Sequence, residues 1–440
     1  MIKKVKKILF TGGTGLLSSF WAASLLGKKY KITLGLNRRL LRSKSVNYEQ
    51  INYENLIELE KKIKTNNFDL VIHSAGITDV EKCENNPAEA NKVNYIYTKN
   101  LVNVCKKLKK KLVYISTDHL FDGKKSFYSE DDICNPINIY SKTKLKSENY
   151  IKKNLKNYLI LRTNFFGKGP YYRTSFSDKL IEDLKNEKKF YTSSKIFFSP
   201  ISISLLVKYS MMLINKNLTG IFNISSNQQI SKLSFSKLVA KEYNLNSKNI
   251  IDSSTISKKN DVKKPSNMSL SNQKLREYLN LNVPSINQQV KKLKKYDKIY
   301  NKFFVAVKPY GQHYIDNQDI KEVTKVLKSP YLTQGPKINE FENAVAKYVG
   351  SKYAVAVSSC TAGLHICGIA AGITRNTYAI TSPITFVSTA NAITYNNGKV
   401  LFSDINPKDI NIDINKVKTL IKSKKKIKAI FPVHFGGYPC

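Results

Sequence analysis

The sequence predicts an α/β protein built on a doubly wound parallel sheet, and three observations predict it. Apolar runs of strand length, "VKKILF" at the start, "KITLGL" (31–36), "FDLVIHSAG" (68–76), "KLVYIS" (111–116) and "YLILRT" (158–163), alternate with helix-length segments. Such alternation argues for parallel strands with helices on both faces. A glycine-rich turn, "TGGTGLLS", follows the first run and opens the first helix. At 440 residues and 42% hydrophobic, the chain is long enough for two or three domains with substantial cores.

The first element needs a decision. "ILFTGGTGLLSSFWAASLLG" (8–27) is uncharged and follows "MIKKVKK", so it also meets the loose description of a secretion signal. Gly12, Gly13 and Gly15 argue against that, because they weaken an inserting helix in its middle. After them Leu16, Phe20, Ala23 and Leu26 recur at helical spacing. In a strand–turn–helix the glycines permit a tight turn and close approach of backbone N–H groups to a pyrophosphate at the helix start, a Rossmann-type dinucleotide site. Ser18 stands where a third glycine serves helix–strand packing and is expected to loosen that contact. At the end of the second strand the chain reads "LNRR". Arg38 and Arg39 suit a ribose 2′-phosphate, so NADP(H) is preferred over NAD(H).

Composition narrows the function classes. Lys+Arg 73 against Asp+Glu 32 gives a net charge of +41. The lysines are spread over nearly every predicted helix and loop, with short runs such as "KKLKKK" (106–111), and no basic stripe is interleaved with aromatics. A solvated lysine-rich surface is the expectation, not a nucleic-acid partner. Six cysteines show no paired spacing and five histidines are scattered, so neither a disulfide framework nor a metal site is expected. The uncharged "YAVAVSSCTAGLHICGIAAGIT" (353–374) has the length of a membrane span, but its Ser-Ser-Cys-Thr centre, His365 and three glycines read as strand, turn and helix. A cytoplasmic protein without a membrane partner is expected.

Chemistry enters at "STDHLFDG" (116–123) and "YSKTK" (140–144). Tyr140 and Lys144, four apart, share one helix face. An ammonium beside a phenol favours the phenolate, which suits proton exchange with a carbonyl or alcohol. Thr117, at a strand end, is placed to hold the substrate oxygen. Tyr-x-x-x-Lys alone is weak in a lysine- and tyrosine-rich chain; its position after a glycine turn and a Ser/Thr strand end gives it weight.

Residues 1–290 resemble the extended short-chain dehydrogenase/reductases, specifically the dTDP-4-dehydrorhamnose reductase group. The strings are "TDVEKCENNPAEANKVNYIYTKNL" (78–101), "YISTDHLFDG" (114–123), "YSEDDICNPINIYSKTKLKSE" (128–148), "LRTNFFGKG" (161–169), "FFSPISI" (197–203) and "KPSNMSLSNQKL" (264–275). The resemblance implies reduction by NADPH of the 4-keto group of a nucleotide-activated 6-deoxysugar, with Tyr140 as proton donor, Lys144 tuning it and Thr117 orienting the carbonyl. It further implies cofactor contacts at Gly12, Gly13, Gly15, Leu16, Ser74, Ala75 and Lys144, substrate contacts at Thr78, Asp118 and Asn164, a substrate lobe mainly over 165–290, and leaves a homodimer open. Departures are Ser18, His119 where the group often has an aromatic residue, and Ser141 where glycine is common. The regulatory subunit of methionine adenosyltransferase is similar to the same group, so a non-catalytic NADP-binding regulatory or scaffold protein stays as the alternative.

After a lysine-rich linker (291–308) a second pattern begins. Residues 309–440 resemble the N-terminal part of the DegT/DnrJ/EryC1 sugar aminotransferases, through "LTQGPKINEFENAVAKYVG", "AVAVSSCTAGLHI" and "SPITFVSTANAITYNNGKVLFSDINPKDINID". The implied fold is an incomplete type I aminotransferase-like domain using pyridoxal phosphate, with Thr361 and Ala362 at the phosphate and Phe386 on the ring. The family's ring-nitrogen aspartate and Schiff-base lysine come later than these motifs, so this half is expected not to transaminate alone and to be poorly stable.

Overall fold

The structure, a computed structural model, describes residues 7–36, 41–42, 45–170, 173–254, 262–294, 305–306, 313–423 and 426–440. Arg38 and Arg39 lie outside these residues. Two units divide the chain, Met1–Gly311 and Gln312–Cys440.

The first unit is organised by seven parallel strands: β1 (Lys7–Thr11), β2 (Lys31–Leu36), β3 (Asn47–Gln50), β4 (Leu70–His73), β5 (Lys111–Ile115), β6 (Tyr158–Thr163) and β7 (Gly220–Ile224). Their order is β7-β6-β5-β4-β1-β2-β3. The principal helices are α1 (Leu16–Leu25), α2 (Leu56–Asn66), α3 (Tyr97–Lys107), α4 (Ile139–Asn154), α5 (Phe176–Lys185), α6 (Ile203–Asn215) and α7 (Lys232–Glu242). Because strand side chains alternate, β1 sends Ile8 and Phe10 into a core shared with α1 and α6, and Leu9 into an opposite core shared with α2 and α3. Trp21 of α1 meets Phe10 edge-on, ring centroids 5.8 Å apart. Strand order reverses between β1 and β4, and at such a switch point the carboxyl ends of the strands open a crevice. Beyond β6 a smaller lobe packs around Phe235 of α7, which meets Phe166 and Phe198 at 5.0 and 5.5 Å.

Two features differ from what local pattern predicts. Ser18 does not loosen the β1–α1 contact: fully buried, its hydroxyl meets Ser74 Oγ at 2.6 Å, and Ser74 Oγ donates to the Thr11 carbonyl at 3.1 Å. A glycine there would permit contact; the serine makes one. Within the stretch read as linker, Val305–Ala306 pairs antiparallel with Leu41–Arg42.

In the second unit β8 (Tyr378–Thr381) lies between β9 (Lys399–Phe402) and β10 (Ile427–Phe431), all parallel. Five helices accompany them, α8 (Asn317–Leu327), α9 (Pro336–Val349), α10 (Cys360–Ala370), α11 (Val387–Tyr395) and α12 (Ile414–Lys422). The strand expected just before "SSCTAG" does not form. A strand needs a ladder partner, and none of the described strands pairs with 353–357, where Val355 is 78% exposed and Ala356 N–H donates instead to the Glu342 carboxylate at 2.7 Å. On α8, Ile320, Val323 and Leu327 form one helical stripe that is more than half exposed. No described helix is long and apolar enough to cross a membrane.

Candidate active site

The glycine turn after β1 is shaped by its neighbours. Gly12 adopts φ +64°, and a Cβ on it would lie 2.9 Å from the Ala75 backbone; a Cβ on Gly13 would meet the Leu34 Cβ at 2.7 Å. Only glycine lets the ends of β1, β2 and β4 close in this way. Gly15 caps α1, whose first turn holds no acidic residue and no side-chain cap, so its N–H groups and positive dipole end suit a pyrophosphate. The residues here therefore fit a dinucleotide.

At the same switch point a cleft of about 410 Å³ is lined by Gly15, Leu16, Ser74, Thr78, Thr117, Asp118, Tyr140, Lys144 and Asn164 among the residues expected from sequence. Gly12, Gly13 and Ala75 do not line it; the two glycines form the turn, and Ala75 packs against Gly12. Helix α4 presents Tyr140 and Lys144 on its buried side, fixed by a capping box in which Asn138 accepts from Ser141 N–H at 2.9 Å and by the Ile139 N–H donating to Glu84 at 2.6 Å. Lys144 Nζ donates to the Ile115 carbonyl at 2.7 Å and lies 4.0 Å from the centre of the Tyr114 ring. Asp118 accepts from Asn164 at 2.7 Å and from Thr117 at 3.3 Å.

Burial sets the electrostatics. It pushes the Tyr140 phenol above its ordinary range, against a hydrogen bond with Thr117 that favours ionisation. Burial likewise pulls Lys144 down to about 7, opposed by Glu148 one turn on. The expected lowering of Tyr140 by a lysine charge is thus not seen in the chain alone, where burial draws Lys144 toward its uncharged form. Asp118 is pushed up to about 6 by burial, with Asn164 the main opposing partner.

Lys144 yields a testable pH dependence. Its ordinary value is 10.5, and the folded value is near 7, so between those values the unfolded chain holds a proton that the folded chain has released. The lysine's destabilising effect is complete below the folded value and fades as pH rises toward the unfolded one. Lys144→Met is expected to raise the stability of the cofactor-free chain more at about pH 6 than at about pH 9. Equal gains at both, measured by urea unfolding, would contradict the buried-lysine account.

Several cleft features carry no sequence signal. Asn94, in the helical turn just before α3, accepts from Ile77 N–H at 2.7 Å and donates to Ile77 O and Thr143 Oγ1, each at 3.1 Å, tying the loop after β4 to α4. His73 bridges Thr11 Oγ1 at 2.6 Å and Thr98 Oγ1 at 2.9 Å beneath the turn. Ser116 Oγ is buried without a partner among the described residues, and Arg173 donates to Thr78 Oγ1 at 3.3 Å. In the second unit Ser359 caps α10 by accepting from Ala362 N–H at 3.2 Å, Thr361 Oγ1 meets Ser388 Oγ at 2.8 Å, and Phe386 is 74% exposed at the start of α11. No group of three or more potential metal ligands occurs among the described residues.

An open parallel sheet with a glycine turn and a buried Tyr-x-x-x-Lys pair at its switch point defines the extended Rossmann-type reductase architecture. The chain belongs to the RmlD substrate binding domain family, whose model matches residues 6–298. Residues 313–440 match the DegT/DnrJ/EryC1/StrS aminotransferase family. Among solved structures the chain is similar to dTDP-4-dehydrorhamnose reductase from Bacillus anthracis in complex with NADP, with a TM-score of 0.60 and 24% identity over 66% of this chain and 99% of that one. A hypothetical dTDP-4-dehydrorhamnose reductase from Sulfolobus tokodaii gives a TM-score of 0.56 and 27% identity over 64% and 98%. Among curated proteins, spore coat polysaccharide biosynthesis protein SpsC of Bacillus subtilis is 44% identical over 132 residues, 30% of this chain and 33% of that protein. The chain spans about a third of the length of the curated relatives it matches.

Proposed function

We propose that the first unit is an NADPH-dependent reductase of the 4-keto group of a nucleotide-activated 6-deoxysugar, acting in cytoplasmic deoxysugar and polysaccharide biosynthesis. The observation that carries this reading is one cleft in which Tyr140, Lys144 and Thr117 lie together beside the glycine turn. Bound NADPH supplies a hydride to the carbonyl carbon. Tyr140, kept protonated by burial, gives its phenolic proton to the carbonyl oxygen, so ketone, hydride and proton balance as a secondary alcohol. Thr117 holds that oxygen during transfer. Lys144, anchored on the Ile115 carbonyl, fixes the helix face that aims Tyr140. Asp118, Asn164 and Thr78 are the proposed sugar contacts, and Arg38 and Arg39 the proposed 2′-phosphate contacts. In the second unit Thr361, Ala362 and Phe386 are proposed to meet the phosphate and ring of pyridoxal phosphate. Transamination by these residues alone is not proposed, since the amine and the ring-nitrogen carboxylate that the chemistry needs are not among the matched motifs.

The test is NADPH oxidation by the full chain with a dTDP-4-keto-6-deoxysugar, followed by absorbance beside NADH. Turnover favouring NADPH supports the reading. Binding of NADPH without reduction of any 4-keto sugar overturns it in favour of a regulatory protein.

A further inference from the structure

We propose that His119 selects the substituent next to the substrate's ketone, pairing with a hydroxyl there; this rests on the reductase reading. His119 lines the cleft two residues beyond Thr117, and its backbone N–H donates to Thr117 Oγ1 at 3.2 Å. Its ring meets Tyr140 edge-on, centroids 5.8 Å apart and planes at 79°. Neither ring nitrogen has a hydrogen-bond partner among the described residues: Nδ1 is buried and unpaired, and Nε2 stands 4.0 Å from Asp118 Oδ1, too far to bond. Asp118, the nearest candidate partner, is already engaged by Asn164 and Thr117. Nδ1 is too buried for a ligand to reach, so Nε2, which is not closed off by the protein, is the ring nitrogen left to pair with a ligand in the cleft.

The ligand's chemistry follows from the charge state. Burial, with the fields of Lys232 and Lys264, pulls His119 down to about 3, so at neutral pH the imidazole is uncharged and offers one donor and one acceptor. Through Nε2 such a ring either donates to or accepts from a hydroxyl, depending on its tautomer, and it carries no charge to draw a carboxylate. With the ketone oxygen between Tyr140 and Thr117, a hydroxyl on the adjacent ring carbon lies within about a hydrogen-bond length of that oxygen, on a sugar ring that shares the cleft with His119. Where the resembling group often has an aromatic residue, this chain keeps a ring against Tyr140 and brings ring nitrogens with it.

The experiment compares dTDP-4-keto-6-deoxyglucose with its 3-deoxy analogue, using the full chain, His119→Phe and His119→Gln, with NADPH binding measured for each. Wild type is expected to prefer the 3-hydroxy sugar by about tenfold or more in kcat/KM, His119→Phe to bring the two sugars within about threefold, and His119→Gln to restore part of the preference. NADPH affinity should stay level in all three. A preference unchanged in His119→Phe overturns this inference alone. Turnover of neither sugar by the wild type overturns it together with the reductase reading.

Discussion

Tyr140→Phe is expected to lower turnover of a 4-keto sugar by about 10²- to 10⁴-fold while leaving NADPH affinity nearly unchanged. The substitution removes one oxygen and keeps the ring, so the edge-on contact with His119 and the packing against Cys83 and Ala90 remain. On the proposed reading, what it removes is the proton given to the carbonyl oxygen as hydride arrives. Burial holds that proton on the phenol at neutral pH. The loss should fall on kcat, since the phenol's contribution is made in the transition state. A variant turning over at the wild-type rate would remove Tyr140 from the chemistry and leave the cleft as a binding site.

The second large effect is expected at Glu148. This carboxylate and Arg162 are both buried, 0% and 2% exposed, and meet through Nη2···Oε2 at 2.8 Å and Nε···Oε1 at 3.2 Å. Arg162 also donates to the Glu130 carbonyl at 3.2 Å. The pair joins β6 to α4, the helix that carries Tyr140 and Lys144. Glu148→Leu leaves the guanidinium buried and uncompensated, and is expected to reduce the stability of the first unit by about 3–5 kcal/mol. Combining it with Arg162→Met should recover most of the loss, because the pair's attraction offsets little beyond its own desolvation. Trp21, the sole tryptophan of the sequence, is buried in this unit, so its fluorescence during denaturant unfolding reports the relevant transition. A single mutant within about 1 kcal/mol of wild type would mean that water reaches Arg162.

Much of this architecture is written in short-range pattern. Strands β1, β2, β4, β5 and β6 are apolar runs because both faces of a parallel sheet are covered. Strand β3, Asn47–Gln50, escapes that reading: as an edge strand it is mostly exposed and carries "NYEQ". Residues 353–357 mislead in the opposite direction, with strand-like composition and no ladder partner among the described strands. Tyr140, Lys144 and Thr117 are legible through spacing and order. Asn94 and His73 are not, since their partners lie far along the chain and no periodicity marks them.

The sequence by itself determined the alternation of strands and helices, the glycine turn and the identity of the Tyr–Lys pair, all properties of residues within a few positions of one another. Only the tertiary structure decided how those residues are charged and held. Ser18 becomes a contact because Ser74 arrives from 56 positions away, Lys144 is drawn toward its uncharged form by burial, and His119 Nδ1 is buried without a partner among the described residues. Desolvation and hydrogen-bond satisfaction depend on every element that packs around a group, and no local stretch of sequence contains that information.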